Sequence, residues 1–141
     1  MISRKKLNLK REYKTTTREL AVLNRELASQ MILLASQTGD TAPLIQAVEA
    51  LRAADEHYSA DATPRENAEV RQAIADTLLT VGRAKNDLSA LRHAVSAYRD
   101  AITLASMLGD QKLRKSLKRN YGVARNLLGQ HAAHAGMLGA A

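Results

Sequence analysis

The chain has 141 residues and no Cys. That length makes one domain with a real core, and the composition excludes disulfides, thiolate metal sites and Cys nucleophiles. Ala (25) and Leu (20) dominate while Phe and Trp are absent, which favours helices and excludes a β-sandwich or barrel. The net charge of +7 is unevenly spread: residues 1–14 carry six Lys/Arg against one Glu, residues 111–125 six against none, and the body between them nine against thirteen. A mildly acidic body with two basic ends points to an anionic partner at the ends, or to docking of an end on a body. The best apolar run, Met31-Ile32-Leu33-Leu34-Ala35, is far below the ~20 residues a bilayer requires. No apolar core of signal-peptide length follows the basic N-terminus, so the expected location is the cytoplasm.

Helical periodicity begins with Leu20, Leu23, Leu27, Met31 and Leu34, one apolar face by their 3- and 4-residue steps. Thr16 and Glu19 offer a capping box for this helix, or the helix starts earlier, inside the basic segment. Gly39 and Asp40 end it. A second helix opens at Pro43 with the face Leu44, Ala47, Val48, Leu51, Ala54, Tyr58. Thr63-Pro64-Arg65-Glu66 combines an N-cap, a Pro at the first position and the reciprocal Glu. A third helix follows through Val70, Ile74, Leu78 and Val81. Asp87 caps a fourth with Leu88, Leu91, Val95, Tyr98, Ile102 and Ala105 on one side. Gly109 ends it, and Asp110 caps a fifth with Leu113, Leu117, Tyr121, Ala124 and Leu128. The chain divides into a basic segment (1–14) able to extend the first helix, a helical domain (15–130) and an Ala/Gly-rich tail (131–141), read as a loose last turn or disorder.

The helices repeat. A gapless shift of 47 lays Leu27-Ala28 on Ile74-Ala75, Met31-Ile32 on Leu78-Leu79, Leu34 on Val81, Asp40 on Asp87, Leu44 on Leu91, Ala47-Val48 on Ala94-Val95, Arg52 on Arg99 and Ala54 on Ala101. A shift of 49 adds a partial third copy, with Ile74-Ala75 on Val123-Ala124 and Leu78-Leu79 on Leu127-Leu128. Shared helical patterning would align apolar with apolar. It gives no reason for the Asp and Arg matches, so the period is read as a true internal repeat.

The second copy, with Ala75 in its first helix and Ala94, Tyr98 and Ala101 in its second, resembles a tetratricopeptide repeat of a long-helix bacterial type. In that pattern small residues let the two helices approach and one ring fills the gap. The first copy matches at Ala28, Ala47 and Ala54 but has Leu51 where Tyr98 stands, and the third keeps only a first helix. The resemblance covers residues 20–130, and the period exceeds the ~34 of the standard repeat. It implies an all-α fold: a short right-handed α-solenoid of antiparallel helix pairs, about five helices in all, each pair burying its apolar side against the next. It further implies that the first helix of each pair lines a groove for a partner's extended peptide or helix. The positions three before and one after the small residue are then Arg25 and Ser29, Gln72 and Asp76, Tyr121 and Arg125, with Lys118 one turn earlier. Such a groove would be most basic at its C-terminal end and would hold an acidic segment or a carboxylate there through charge-assisted hydrogen bonds.

Catalytic chemistry is not legible. His57 and His93 lie on different helices with no partners at triad spacing, Asp55-Glu56-His57 fan around one helix, and no phosphate-binding loop is present. His131 and His134 share a face without a third ligand, so no metal and no cofactor are expected. The expected function is therefore non-enzymatic: an adaptor binding another protein, with self-association through open repeat ends as a variant. The second reading gives the basic ends a nucleic acid or an anionic membrane. The contacts would be Arg4, Lys5, Lys6, Lys10 and Arg11 in the first segment and Lys112, Lys115 and Arg119 on the last helix.

Overall fold

A computed structural model describes the backbone of residues 4–58 and 63–139, and the side chains of Leu9, 16–58 and 63–133. The described residues form five helices and no strand: α1 (Arg4–Thr38), α2 (Ala42–Tyr58), α3 (Pro64–Lys85), α4 (Leu88–Leu108) and α5 (Gln111–Gly139). None is long and apolar enough to cross a membrane.

The helix ends follow from local chemistry. The Thr63 hydroxyl accepts the Glu66 N–H at 3.2 Å while Glu66 reaches back to the Thr63 N–H at 3.3 Å, closing the capping box. Asp40 accepts the Ala42 N–H at 3.0 Å, and Asp87, its counterpart 47 residues on, accepts the Ala90 N–H at 3.2 Å. The matched acids thus do matched work: each starts the second helix of its copy. Asp110 accepts the Leu113 N–H at 3.0 Å and starts α5. Gly39 and Gly109 sit at φ +73° and +69°, and Asn86 takes the left-handed conformation after α3. From Arg4 on, the basic N-terminal segment lies within α1, because nothing among its Lys, Arg, Leu and Glu residues breaks a helix. Thr16 and Glu19 are therefore interior and cap nothing. Most of the Ala/Gly-rich tail likewise continues α5 instead of fraying.

Each helix packs chiefly on its neighbours in sequence: α1 on α2, α2 on α3, α3 on α4, α4 on α5. Half of the buried apolar side chains among the described residues are Ala, 13 of 26, so the helices meet through small surfaces. The burial repeats with the sequence. Ala21 and Ala68, Ala28 and Ala75, Ala47 and Ala94, Ala54 and Ala101 are buried pairwise, and Leu117 and Ala124 of α5 continue the stripe of Ala68 and Ala75. The absent ring of the first copy is supplied elsewhere. Tyr58, two turns past Leu51, is buried where α4 has Ala105.

One expected core face is not in the core. α1 packs chiefly along α2, and its buried side chains are Ala21, Ala28 and Ala35. Leu20, Leu23, Leu27 and Leu34 lie on the adjoining side and are exposed, with only Met31 half-buried. Their counterparts Ile74, Leu78 and Val81 on α3 are buried in the seams where α2 and α4 both meet α3.

The tightest approach is at Gly82 of α3. A Cβ there would stand 2.5 Å from Leu91 Cδ2 and 2.6 Å from Cγ. Leu91 is wholly buried and has nowhere to retreat, so Gly82→Ala forces α3 and α4 apart. The expected loss is about 1–3 kcal/mol despite the gain in helix propensity, read as a lowered urea midpoint; an unchanged midpoint would show that the α3–α4 seam is looser than described.

Candidate functional site

The first helices of the copies, α1, α3 and α5, are joined edge to edge by polar bridges. Arg18 donates to both Glu66 oxygens at 3.0 Å, and Arg25 reaches Glu69 at 3.5 Å, tying α1 to α3. Arg65 donates to Asp110 at 3.1 Å and Asn120 donates to Asp76 at 3.4 Å, tying α3 to α5. In each set the residue numbers rise together along both helices. Between α3 and α4 they run oppositely: Arg71 lies 3.7 Å from Asp100, Tyr98 bonds Asp76, and Gly82 meets Leu91.

Two openings lie along this face. A cleft of about 560 Å³ separates α1 from α3 near the start of α2, walled by Ile32, Ala35, Leu44, Ala73, Thr77 and Thr80, with Asp76 at its edge. A smaller one, about 280 Å³, separates α3 from α5 and includes Arg65, Glu69, Gln72, Asp110, Lys112 and Ser116. Positions 65, 69, 72, 73, 76 and 80 share one side of α3 by helical spacing, so both openings belong to one surface.

The residues expected to line a groove meet different fates. Gln72 lines the smaller opening. Arg25 is on the surface but is neutralised by Glu69. Ser29 is exposed and spends its hydroxyl on the Arg25 carbonyl at 3.1 Å. Asp76 accepts the hydroxyl of the buried Tyr98 and the amide of Asn120, which makes it a junction of α3, α4 and α5. Lys118 and Arg125 are exposed without an ion pair among the described residues, and Arg125 lies over the Tyr121 ring at 5.6 Å. Tyr121 itself is half-buried and bonds Arg99 of α4. Of the basic-end residues, Lys112, Lys115 and Arg119 are exposed on α5. Arg4, Lys5, Lys6, Lys10 and Arg11 lie on α1, but their side chains fall outside the described residues. His134 does too.

Sequence reasoning did not find Glu69, Thr80, Ala73 and Ile32. The bridges span 44 to 48 residues, close to the repeat period. The signal was therefore a base in one copy facing an acid at about the matching height in the next.

The electrostatics divide the face. Burial pushes the Glu66 carboxyl up, but hydrogen bonds from the Thr63 backbone and hydroxyl and from Arg18 outweigh it and hold the group below its ordinary value. The Leu113 backbone and Arg65 lower Asp110 in the same way. A hydrogen bond from Arg99, aided by the Arg99 and Arg125 charges, lowers the Tyr121 phenol, whereas burial and the adjoining Asp76 push Tyr98 far up. The α1–α3 half is thus self-neutralised. The outer side of α5 is not: it carries Lys112, Lys115, Lys118, Arg119 and Arg125 without an ion pair among the described residues.

No family model, no curated protein and no solved structure matches this chain.

The Tyr98–Asp76 contact has a pH signature. Folding holds the Tyr98 proton above the ordinary phenol value of 10.0, so its contribution is complete below that pH and is lost as pH rises beyond it, where the unfolded chain ionises and the folded chain does not. Alkaline melts should show this decline. Tyrosinate absorbance should register Tyr121 first and Tyr98 only on unfolding. Tyr98→Phe should cost about 1–2 kcal/mol near neutrality, since it removes a buried hydrogen bond to a carboxylate, and should flatten the alkaline decline; a variant as alkali-sensitive as the native chain would dissociate the effect from Tyr98.

Proposed function

We propose that this chain is a protein-interaction scaffold: a short right-handed α-solenoid of antiparallel helix pairs, like tetratricopeptide repeats, holding a partner's extended segment or helix on the face of α1, α3 and α5. The observation that carries this reading is the face itself. Three helices of matched burial are set side by side by polar bridges, with an open cleft of about 560 Å³ between the first two and unpaired cations along the third. The matched burial of Ala28 with Ala75 and of Ala47 with Ala94 supports the repeat, and the opposite running of the α3–α4 contacts supports antiparallel pairs. An adaptor needs no converging acid, base and nucleophile. The polar groups nearest that description, His93, Ser96 and Asp100 in a crevice on the other side, stand beside Arg71, which is balanced between Asp55 at 3.6 Å and Asp100 at 3.7 Å.

The charge balance selects the partner. Arg25 is matched by Glu69, so an acidic segment gains little over α1 and α3. It gains most over α5, at Lys118 and Arg125, where a carboxylate meets cations that no acid among the described residues neutralises. The same cations support the second reading, contact of α5 and the basic start of α1 with nucleic acid or an anionic membrane, in which affinity falls steeply with salt.

The test is co-purification from the native host with the full chain as bait, repeated with Thr80→Trp, which fills the cleft from an exposed position, with Lys118→Glu plus Arg125→Glu, and with residues 1–14 removed. The scaffold reading expects a partner that survives the truncation and drops at least tenfold in the other two. A ligand that is nucleic acid or lipid, released by salt and lost with residues 1–14, moves the function to the basic ends.

A further inference from the structure

The cleft between α1 and α3 carries charge of one sign. Its walls hold two charged groups, Asp40 at the α1–α2 turn and Asp76 on α3, and no Lys or Arg. Neither carboxylate is in an ion pair among the described residues. Arg83, on the same side of α3 two turns beyond Asp76, is exposed and stands off the walls. The smaller opening between α3 and α5 differs: it has both signs, Arg65 and Lys112 with Glu69 and Asp110. Asp76 is also held in place. Its Oδ1 accepts from Tyr98 of α4 and Asn120 of α5, which fixes the carboxylate, while its Oδ2 has no hydrogen-bond partner among the described residues.

We propose that this cleft takes an Arg or Lys side chain from a partner's segment, its aliphatic stem along the apolar wall and its cation on Asp76. The proposal rests on the scaffold reading and adds what the first two helices of the face select. Ile32, Ala35, Leu44 and Ala73 give the wall a surface that suits a stem. The Thr77 and Thr80 hydroxyls donate to the Ala73 and Asp76 carbonyls of their own helix, so they have no proton to offer an anion. An acidic side chain would meet Asp40 and Asp76 with like charge. A purely apolar one would cover Asp76 Oδ2 and leave it without water or a donor, which is costly. An alkyl chain that ends in a cation satisfies wall and carboxylate together. A free polyamine suits the cleft less well, because its chain is interrupted by amines that would lie against the apolar wall. The volume of about 560 Å³ is in the range that holds a drug-sized ligand, so the neighbours of the cation on a segment find room as well.

The probes are capped tripeptides, acetyl-Leu-Arg-Leu-amide and the same peptide with Lys, Glu or citrulline in the middle, citrulline having the shape of Arg without its charge. Each is titrated at millimolar concentration into the full chain labelled with nitrogen-15, and amide shifts are followed. The Arg and Lys peptides should move the signals of Gly39, Asp40, Thr77 and Thr80. They should bind roughly tenfold tighter than the citrulline peptide, the difference made by one charge-assisted hydrogen bond, and the Glu peptide should leave those signals in place. Thr80→Lys, at an exposed position one turn from Asp76, supplies the cation from α3 itself and should abolish Arg binding with unchanged helical circular dichroism. Asp40→Asn keeps a competent helix cap and should weaken Arg binding while citrulline binding stays the same; if Thr80→Lys fails to fold, this variant decides. Lys118→Glu plus Arg125→Glu should leave the Arg affinity unchanged. Equal binding of the Arg and citrulline peptides, shifts confined to α5, Arg binding that survives Thr80→Lys, or spermidine that moves the same signals at lower concentration than the Arg peptide overturns the proposal. None of these outcomes touches the scaffold reading, because a partner without a cation can still be lost in Thr80→Trp. Conversely, a cleft that binds the Arg peptide in a chain that co-purifies with no protein upholds the site and sinks only the scaffold.

Discussion

Two helix axes come within about 8 Å of each other only where the side chains between them are small, and that condition shapes this molecule throughout. A residue every seven positions stays on one side of a helix, and those residues here are Ala21, Ala28 and Ala35 on α1, Ala68, Ala75 and Gly82 on α3, and Leu117 and Ala124 on α5. On α2 and α4, Ala47, Ala54, Ala94 and Ala101 are wholly buried in the same core. A core made this way has little volume to fill. A few large groups fill it: Tyr58, Leu91, Tyr98 and Leu117. Each Ala buries little area, so cohesion depends on closeness. Adding a methyl group in the seam is therefore as harmful as removing one elsewhere, and Gly82 against Leu91 is where that balance is tightest.

The same closeness builds the outer face. With α2 and α4 taking the small stripes, the first helices of the copies hardly pack on one another and meet instead through side chains long enough to reach: Arg18, Arg25 and Arg65, with Asn120. Bridges this exposed contribute little stability, about 0–1 kcal/mol each, but they fix the spacing of three helices and leave room between them. Asp76 links the two levels. It belongs to the outer surface by its place on α3 and to the core by its bond to Tyr98. Any change there alters both the face and the α3–α4 seam, so it is a poor probe of binding alone.

Features written within a few residues were legible from the sequence. The Thr63 box, the Asp87 and Asp110 caps and the Gly109 stop all depend on neighbours at most five positions away, and the period of 47 was plain because Asp40 and Asp87 each start a helix. Features decided between copies were not. α1 carries an alanine stripe and a leucine stripe side by side, and hydrophobicity alone ranks the leucines first; which one α2 covers depends on how near the two axes come. The charge of Arg25 was visible, but its neutralising Glu69 lies 44 residues away. Asp76 looked free because the hydroxyl it accepts belongs to the fourth helix.

The two outermost helices end the stack in opposite ways. A helical stack needs a polar outer surface at each end to remain in solution. α5 meets that need: its outward residues are Lys and Arg, its Leu113, Leu117, Leu127 and Leu128 turn inward, and it shows no large exposed apolar side chain among the described residues. α1 meets it only in part: Glu19, Glu26 and Gln30 are exposed, but so is the stripe Leu20, Leu23, Leu27 and Leu34 beside them. The difference bears on how copies meet. Stacking α1 of one copy on α5 of another would set leucines against ammonium and guanidinium groups, with Glu19 and Glu26 beside the stripe to pair only some of them.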